Sequence, residues 1–272
     1  MAIKQQHNKL KEPTGPMMPQ DKLPQTGWQE GPGPQTDAKA LAPRPVAGLP
    51  AQGGDTRGFE EPIDQSDLVI PRAKLVQPTS AEATDPKSTL RGGALINSLT
   101  KEILQPTFVP LFYFKEYLRF NARKPDQPGW DPAFAPGKLM WRTRDGNDQR
   151  VLEQCAFGPG GEIPIAMTTL NFFSLFTDSA MPLILSFGKT SYGAGKSLLS
   201  LAKFRGGAMF SRQYKLSILP MKNDKGDFFV LKVDPAGDCD AETFAAAESY
   251  FAQFVMKRET LKTHIEEEAE VV

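Results

Sequence analysis

The sequence has little cysteine and little histidine, and it has no long apolar run. Among 272 residues there are two Cys and two His. Two cysteines are too few for a disulfide scaffold, which favours a reducing, cytoplasmic setting. No window approaches 18 uncharged apolar residues, so we expect no transmembrane helix. The polar start, Met1 to Leu10, has no apolar core of a secretory signal, so we expect no such signal.

The residues of common catalytic and metal sites are also scarce or badly spaced. His7 and His264 stand near opposite ends of the chain, which argues against a His-centred triad. Cys155 and Cys239 lack the spacing of a zinc site. The segment 193–197 reads Gly-Ala-Gly-Lys-Ser, but Thr190 stands where a phosphate-binding loop needs its first glycine. We therefore predict no catalytic residue, no metal, no cofactor and no enzymatic activity.

The first 62 residues have the composition of an unfolded segment. They contain ten Pro and eight Gly, with apolar residues only as scattered singles. Such a segment cannot bury enough apolar surface to offset an ordering entropy of about 1–2 kcal/mol per residue. We predict a disordered arm over 1–62. It is either a plain spacer or a partner-binding arm anchored on Trp28 or Phe59.

The rest of the chain, up to residue 258, predicts one mainly β domain of the α+β class. Between the strand candidates, 222–226 has the Asn, Asp and Gly content of a hairpin turn. Leucines at helical spacing predict one inserted helix over Gly195–Arg205. Asp240 is a good N-cap for a C-terminal helix. This order predicts an OB-like or half-closed antiparallel β-barrel over 63–258. The strand candidates are Leu68–Ile70, Phe108–Phe120, Leu139–Arg144, Ile163–Phe176, Leu183–Phe187, Phe210–Leu219 and Phe228–Val233.

Charge is balanced overall, with 32 Lys and Arg against 32 Asp and Glu, but it is segregated along the chain. From Ser179 to Asn223 there is no acidic residue and there are seven basic ones. From Asp234 to the end the net charge is −7, and 259–272 forms an acidic tail. A basic body with an acidic tail fits a polyanion-binding protein that shields its surface when free. The alternative is ordinary solvated faces.

The strand Leu111–Phe120 predicts the floor of a binding site. Alternation places Tyr113, Lys115, Tyr117 and Arg119 on one side and the phenylalanines and Leu118 on the other. Rings that stack on bases, mixed with cations that contact phosphates, suit a single-stranded nucleic acid. Alternatively, the two tyrosines are half-buried residues packed on a neighbouring strand.

Further cations complete the predicted nucleic-acid site. Two arginines share one side of the next strand, and Lys196 and Lys203 share the polar side of the inserted helix with Ser200. Each could contact phosphates or could be a solvated surface charge. The added residues are Arg142, Arg144, Lys189, Lys196, Lys203, Arg205, Arg212 and Lys215.

Several phrases resemble a group of tailed-bacteriophage proteins over roughly residues 65–256. These phrases are Asp67–Gln77, Lys189–Leu199, Tyr214–Leu216 and Asn223–Phe229. The resemblance implies a gene near phage replication and recombination genes and binding of single-stranded DNA in the host cytoplasm. Two features depart from the group. Phe228 and Phe229 replace a tyrosine pair, and the acidic end lacks the terminal aromatic residue used for docking replication proteins.

The sequence thus predicts a non-catalytic single-stranded DNA-binding accessory protein for phage DNA replication or recombination. Replication or recombination proteins would be further partners. One alternative is a phage interaction or assembly protein with no nucleic-acid role. A third is a nucleotide-binding enzyme.

Overall fold

The computed structural model describes residues 70–179, 181–224 and 226–258. The predicted arm over 1–62 and the acidic tail over 259–272 lie outside these residues. The strands are β1 Arg72–Leu75, β2 Leu95–Asn97, β3 Thr107–Phe120, β4 Leu139–Thr143, β5 Met167–Phe176, β6 Leu183–Phe187, β7 Arg212–Asn223 and β8 Gly226–Asp238. The helices are α1 Ala81–Thr84, α2 Gln149–Gln154, α3 Tyr192–Arg205 and α4 Ala241–Phe254, with short 3-10 helices at Lys189–Ser191, Met209–Ser211 and Val255–Lys257.

All eight strands belong to one sheet, in the order β2-β1-β6-β5-β3-β7-β8, with β4 paired to β3. This confirms the predicted mainly β, α+β fold. The helices α3 and α4 correspond to the predicted inserted and C-terminal helices, and the structure adds the short helices α1 and α2. The sheet is not closed, because β2 and β8 end the order without pairing to each other. It is not wholly antiparallel either, since β1 runs parallel to β6.

Side chains link the end strand β8 to segments that follow β1 and β6. The Gln77 amide donates from Nε2 to the Phe229 carbonyl at 3.0 Å and accepts from the Phe229 N–H at 2.9 Å. The Ser191 hydroxyl accepts from the Leu231 N–H at 3.2 Å. Gln77 follows β1 and Ser191 follows β6, while Phe229 and Leu231 lie in β8. The sheet therefore stays open, and three side-chain hydrogen bonds link β8 to the segments after β1 and β6.

Apolar residues form one core on each face of the sheet. The α3 helix covers the first core, where Leu198 packs with Phe172, Phe187 and Tyr214. The α4 helix covers the second, where its Ala247 and Tyr250 join strand residues such as Phe112 and Phe173. We call these two sides the α3 face and the α4 face.

The helix starts follow from local chemistry. Asp240 caps α4 as predicted, because its carboxylate accepts from the Thr243 N–H at 2.7 Å. The α3 helix begins three residues before the predicted Gly195, at Tyr192. Two short helices, α1 and α2, have no apolar stripe that sequence periodicity could detect.

Candidate nucleic-acid interface

The long strand β3 presents different chemistry on its two sides. From Phe112 onward, burial alternates residue by residue. Lys115 is exposed and Tyr113 is 39% exposed, while Tyr117 and Arg119 are half-buried. Register pairing places all four on the α3 face, because Tyr113 stands opposite Phe172 of the α3 core. The four strand residues predicted to share one side do share it.

We call Tyr113, Lys115, Tyr117 and Arg119 the strip. Its two tyrosines pack against neighbouring residues and keep part of their surface exposed. The Tyr113 ring centroid is 6.0 Å from that of Phe172. Tyr117 stands between Thr143 of β4 and Thr168 of β5. This packing fixes the rings in place without sealing them in the core. A fixed ring with an open face loses little conformational entropy when a base stacks on it.

Arg119 ties the strip to its bordering loops. Its guanidinium donates to the Gln154 Oε1 at 3.1 Å and to the Gly129 carbonyl at 3.3 Å. Both acceptors are neutral, so the positive charge of Arg119 is not cancelled by them. Arg119 thus links the loop that follows β3 to the last residue of α2, and it leaves a cation beside Tyr117.

Lys189 lies just before the start of α3, and the charge of Arg123 acts on it. Lys189 is exposed and has a φ of 47°, in the left-handed region. Desolvation by nearby protein atoms and the positive charge of Arg123 lower the pKa of Lys189. Two neighbouring cations raise each other's electrostatic energy, and a bound anion would relieve that repulsion.

The α3 helix presents further cations to solvent. Lys196 Nζ lies 5.6 Å from the Tyr192 ring centroid. Lys203 and Arg205 are exposed in the last turn. Gly195 belongs to this helix rather than to a loop. A Cβ there would lie 2.7 Å from the Phe187 Cβ. The glycine-rich segment therefore serves close packing of α3 on the sheet.

Three predicted site residues lie on the opposite side of the sheet. Arg142 pairs with Leu118 and so lies on the α4 face. The Arg144 guanidinium lies 4.1 Å from the Phe114 centroid and donates to the buried Glu116 at 3.2 Å and to the Arg258 carbonyl. Lys215 lies next to Tyr214 of the α3 core and so points to the α4 side. In each case, the alternation of side chains along a strand places the cation on the α4 face. These three cations therefore lie on the opposite side of the sheet from the strip.

Arg212 also has a local partner. Its Nη1 lies 2.7 Å from an Asp238 carboxylate oxygen. Arg212 and Arg205 both act on Tyr214, whose pKa burial raises and these two charges lower. The α3 face thus holds Tyr113, Lys115, Tyr117, Arg119, Lys189, Lys196, Lys203 and Arg205 of the predicted set.

Two residues near the site were not predicted. Glu116 is 1% exposed, and Asn171 Nδ2 donates to it at 2.9 Å beside Arg144. The alternation of β3 places Glu116 on its apolar side, which in sequence signals a buried carboxylate in need of partners. Arg123 follows β3 in a loop, and no sequence pattern brings it to Lys189.

Other chemistry is sparse in the described part of the chain. The described residues include no group of three or more His, Cys, Asp and Glu side chains placed to hold a metal. Burial raises the pKa of the Cys239 thiol to about 11, and nearby Asp240 and Asp238 act in the same direction. Within the described ranges, no helix has both the length and the hydrophobicity needed to cross a bilayer.

The fold and this surface define a mainly β domain with an open sheet and a face that combines exposed cations with tyrosine rings. The chain belongs to the Pam3 phage gp34-like protein family, whose model matches residues 38–260. It is thus a member of a bacteriophage protein family. No curated protein and no solved structure matches the chain.

Proposed function

We propose that this protein is a non-catalytic single-stranded DNA-binding accessory protein that acts in phage DNA replication or recombination. The observation that carries the proposal is the strip on β3, where Tyr113 and Tyr117 alternate with Lys115 and Arg119 on one open side. Stacking of a base on an aromatic ring contributes about 1–3 kcal/mol, and cations beside the rings bind the backbone phosphates.

The surroundings of the strip support a single strand as the ligand. Lys189, Arg123 and Lys196 add positive charge on the same side of the sheet. In a duplex the bases stack on each other inside the helix, so fixed rings on a surface gain little from it. A single strand offers both unstacked bases and phosphates.

Titration of oligo-dT at two salt concentrations tests the proposal. Binding should weaken steeply between about 50 and about 200 mM salt, because neutralised phosphates release counterions. Duplex DNA of matched length should bind more weakly. Weak binding that does not change with salt would contradict the proposal.

Variants on the two sides of the sheet locate the surface. Tyr113→Ala should cost about 1–3 kcal/mol of binding free energy, and Lys115→Ala should flatten the salt dependence. Lys232→Ala is the matched control, because Lys232 is an exposed β8 lysine whose partner is Asp234 at 2.8 Å. Equal losses in Lys115→Ala and Lys232→Ala would mean that charge alone, without this surface, governs binding.

An interaction or assembly role is a second candidate, and the β7–β8 hairpin favours it. Leu219 pairs with Val230 and Met221 pairs with Phe228, so these four share one side. Leu219 is 41% and Met221 49% exposed. Pull-down from a host lysate after nuclease treatment tests this candidate. Retention of a partner by the wild type and its loss in Met221→Asp would support it.

A further inference from the structure

The α3 helix ends with an exposed phenylalanine that neither core uses. Phe204 is 88% exposed, between the exposed cations Lys203 and Arg205. Among the phenylalanines that the structure describes, only Phe204 and Phe157 are classed as exposed. Phe204 is not part of either apolar core, so packing does not explain a large apolar side chain at this position.

The outer side of α3 places this ring at one end of a shallow surface with both apolar and polar lining. A groove there is lined by Lys196, Ser197, Ser200, Phe204 and Arg205, among others. From 196 to 205 the helix rises by about 14 Å. The groove therefore offers cations near both ends, hydroxyls between them and one aromatic ring. The chain has no acidic residue from Ser179 to Asn223, so no carboxylate of α3 itself neutralises these cations.

We propose that Phe204 is a base-stacking residue and that the outer side of α3 is a second contact surface for a single-stranded polynucleotide. This inference rests on the proposed function. Charge complementarity requires an anion, and covering the Phe204 ring requires a flat apolar group in the same ligand. An unpaired nucleotide has both, with the base against the ring and its phosphates beside Lys203 and Arg205.

The test compares Phe204→Ala, Phe204→Leu and Phe204→Trp for binding of oligo-dT and of inorganic polyphosphate, a polyanion without bases. Loss of the ring should weaken oligo-dT binding by about 5- to 150-fold in the Ala and Leu variants. Phe204→Trp should bind oligo-dT as the wild type does, because it keeps a stacking ring. Polyphosphate binding should be equal in all four proteins. Phe157→Ala, which removes the other exposed phenylalanine, is the matched control and should bind as the wild type does.

The outcomes separate this inference from the proposed function. Wild-type protein that binds oligo-dT, with Phe204→Ala binding equally well, would overturn the inference and leave the proposed function standing. Equal weakening for oligo-dT and polyphosphate in Phe204→Ala would also overturn it, because stacking needs a base. Wild-type protein that does not bind oligo-dT would overturn both.

Discussion

At residue 195 the α3 helix touches the sheet so closely that only glycine fits. A Cβ at Gly195 would lie 2.7 Å from the Cβ and 3.0 Å from the Cγ of Phe187. A Cβ at Gly193, two residues earlier in the same helix, would have no atom within 4 Å. Close packing on Phe187 therefore requires glycine at 195, whereas no such contact requires it at 193.

We expect Gly195→Ala to be less stable than Gly193→Ala by about 1–3 kcal/mol, because the added methyl group overpacks the contact with Phe187. Both variants gain helix propensity, which contributes up to about 1 kcal/mol, so the comparison isolates the packing cost. Urea denaturation monitored by circular dichroism measures the difference. A Gly195→Ala variant at least as stable as Gly193→Ala would show that α3 can move away from the sheet at no cost.

At the scale of elements, α4 owes its start to one side chain. One carboxylate oxygen of Asp240 accepts from the Thr243 N–H at 2.7 Å and the other from the Thr243 hydroxyl at 3.1 Å. The backbone hydrogen bond from Thr243 is the main reason that the pKa of Asp240 is lowered. The ionised form is therefore the better cap.

Asp240→Ala should lower the free energy of unfolding by about 0.5–2 kcal/mol at neutral pH. Asp240→Asn should retain most of the stabilisation that the cap contributes, because Asn is also a good N-cap residue. The pKa of Asp240 is lower in the folded than in the unfolded protein. The ionised carboxylate therefore stabilises the fold at pH values above the unfolded pKa, and this stabilisation is lost as the pH falls through the folded pKa. The difference in the free energy of unfolding between the wild type and Asp240→Ala should thus become smaller in acid. Urea titrations at several pH values measure it, and a gap independent of pH would contradict the role of the charge.

Elements that depend on local signals could be predicted from the sequence, while their arrangement could not. The spacing of Phe244, Phe251 and Phe254 predicts α4, and alternation in β3 predicts which residues share a side. The parallel pairing of β1 with β6 is set by contacts far apart in sequence. The site divides in the same way, since Tyr113 to Arg119 follow from one strand. Placing Arg142 and Lys215 requires knowing which face each neighbouring strand presents.

At the scale of the whole molecule, the Gln77 amide links the segment after β1 to the end strand β8 of the open sheet. Both polar groups of this side chain pair with the backbone of Phe229, 152 residues away in sequence. Gly92 and Gly93 also approach the Phe229 ring, where a Cβ would lie 3.0 and 3.1 Å from ring atoms. The segment after β1 and the β8 strand thus meet through a glycine-lined contact.

We expect Gln77→Ala to reduce the free energy of unfolding by about 1–3 kcal/mol, because a half-buried N–H and C=O lose their partners. Amide hydrogen exchange at Phe229 should become faster in this variant. Gln105→Ala is a suitable control, since Gln105 is exposed, and it should change stability by less than about 0.5 kcal/mol. Unchanged exchange at Phe229 would mean that the two ends of the sheet stay together without the amide.

The strand β3 also restricts insertions and deletions in this part of the chain. Its pairing with β5 shifts between Pro110 and Phe112, so Leu111 is a bulge residue that sets the phase of every later side chain. Deleting any one residue from 112 to 116 would turn the following aromatic and cationic side chains inward and the core residues outward. Point substitutions can be absorbed along this strand, but a change of one codon in length cannot.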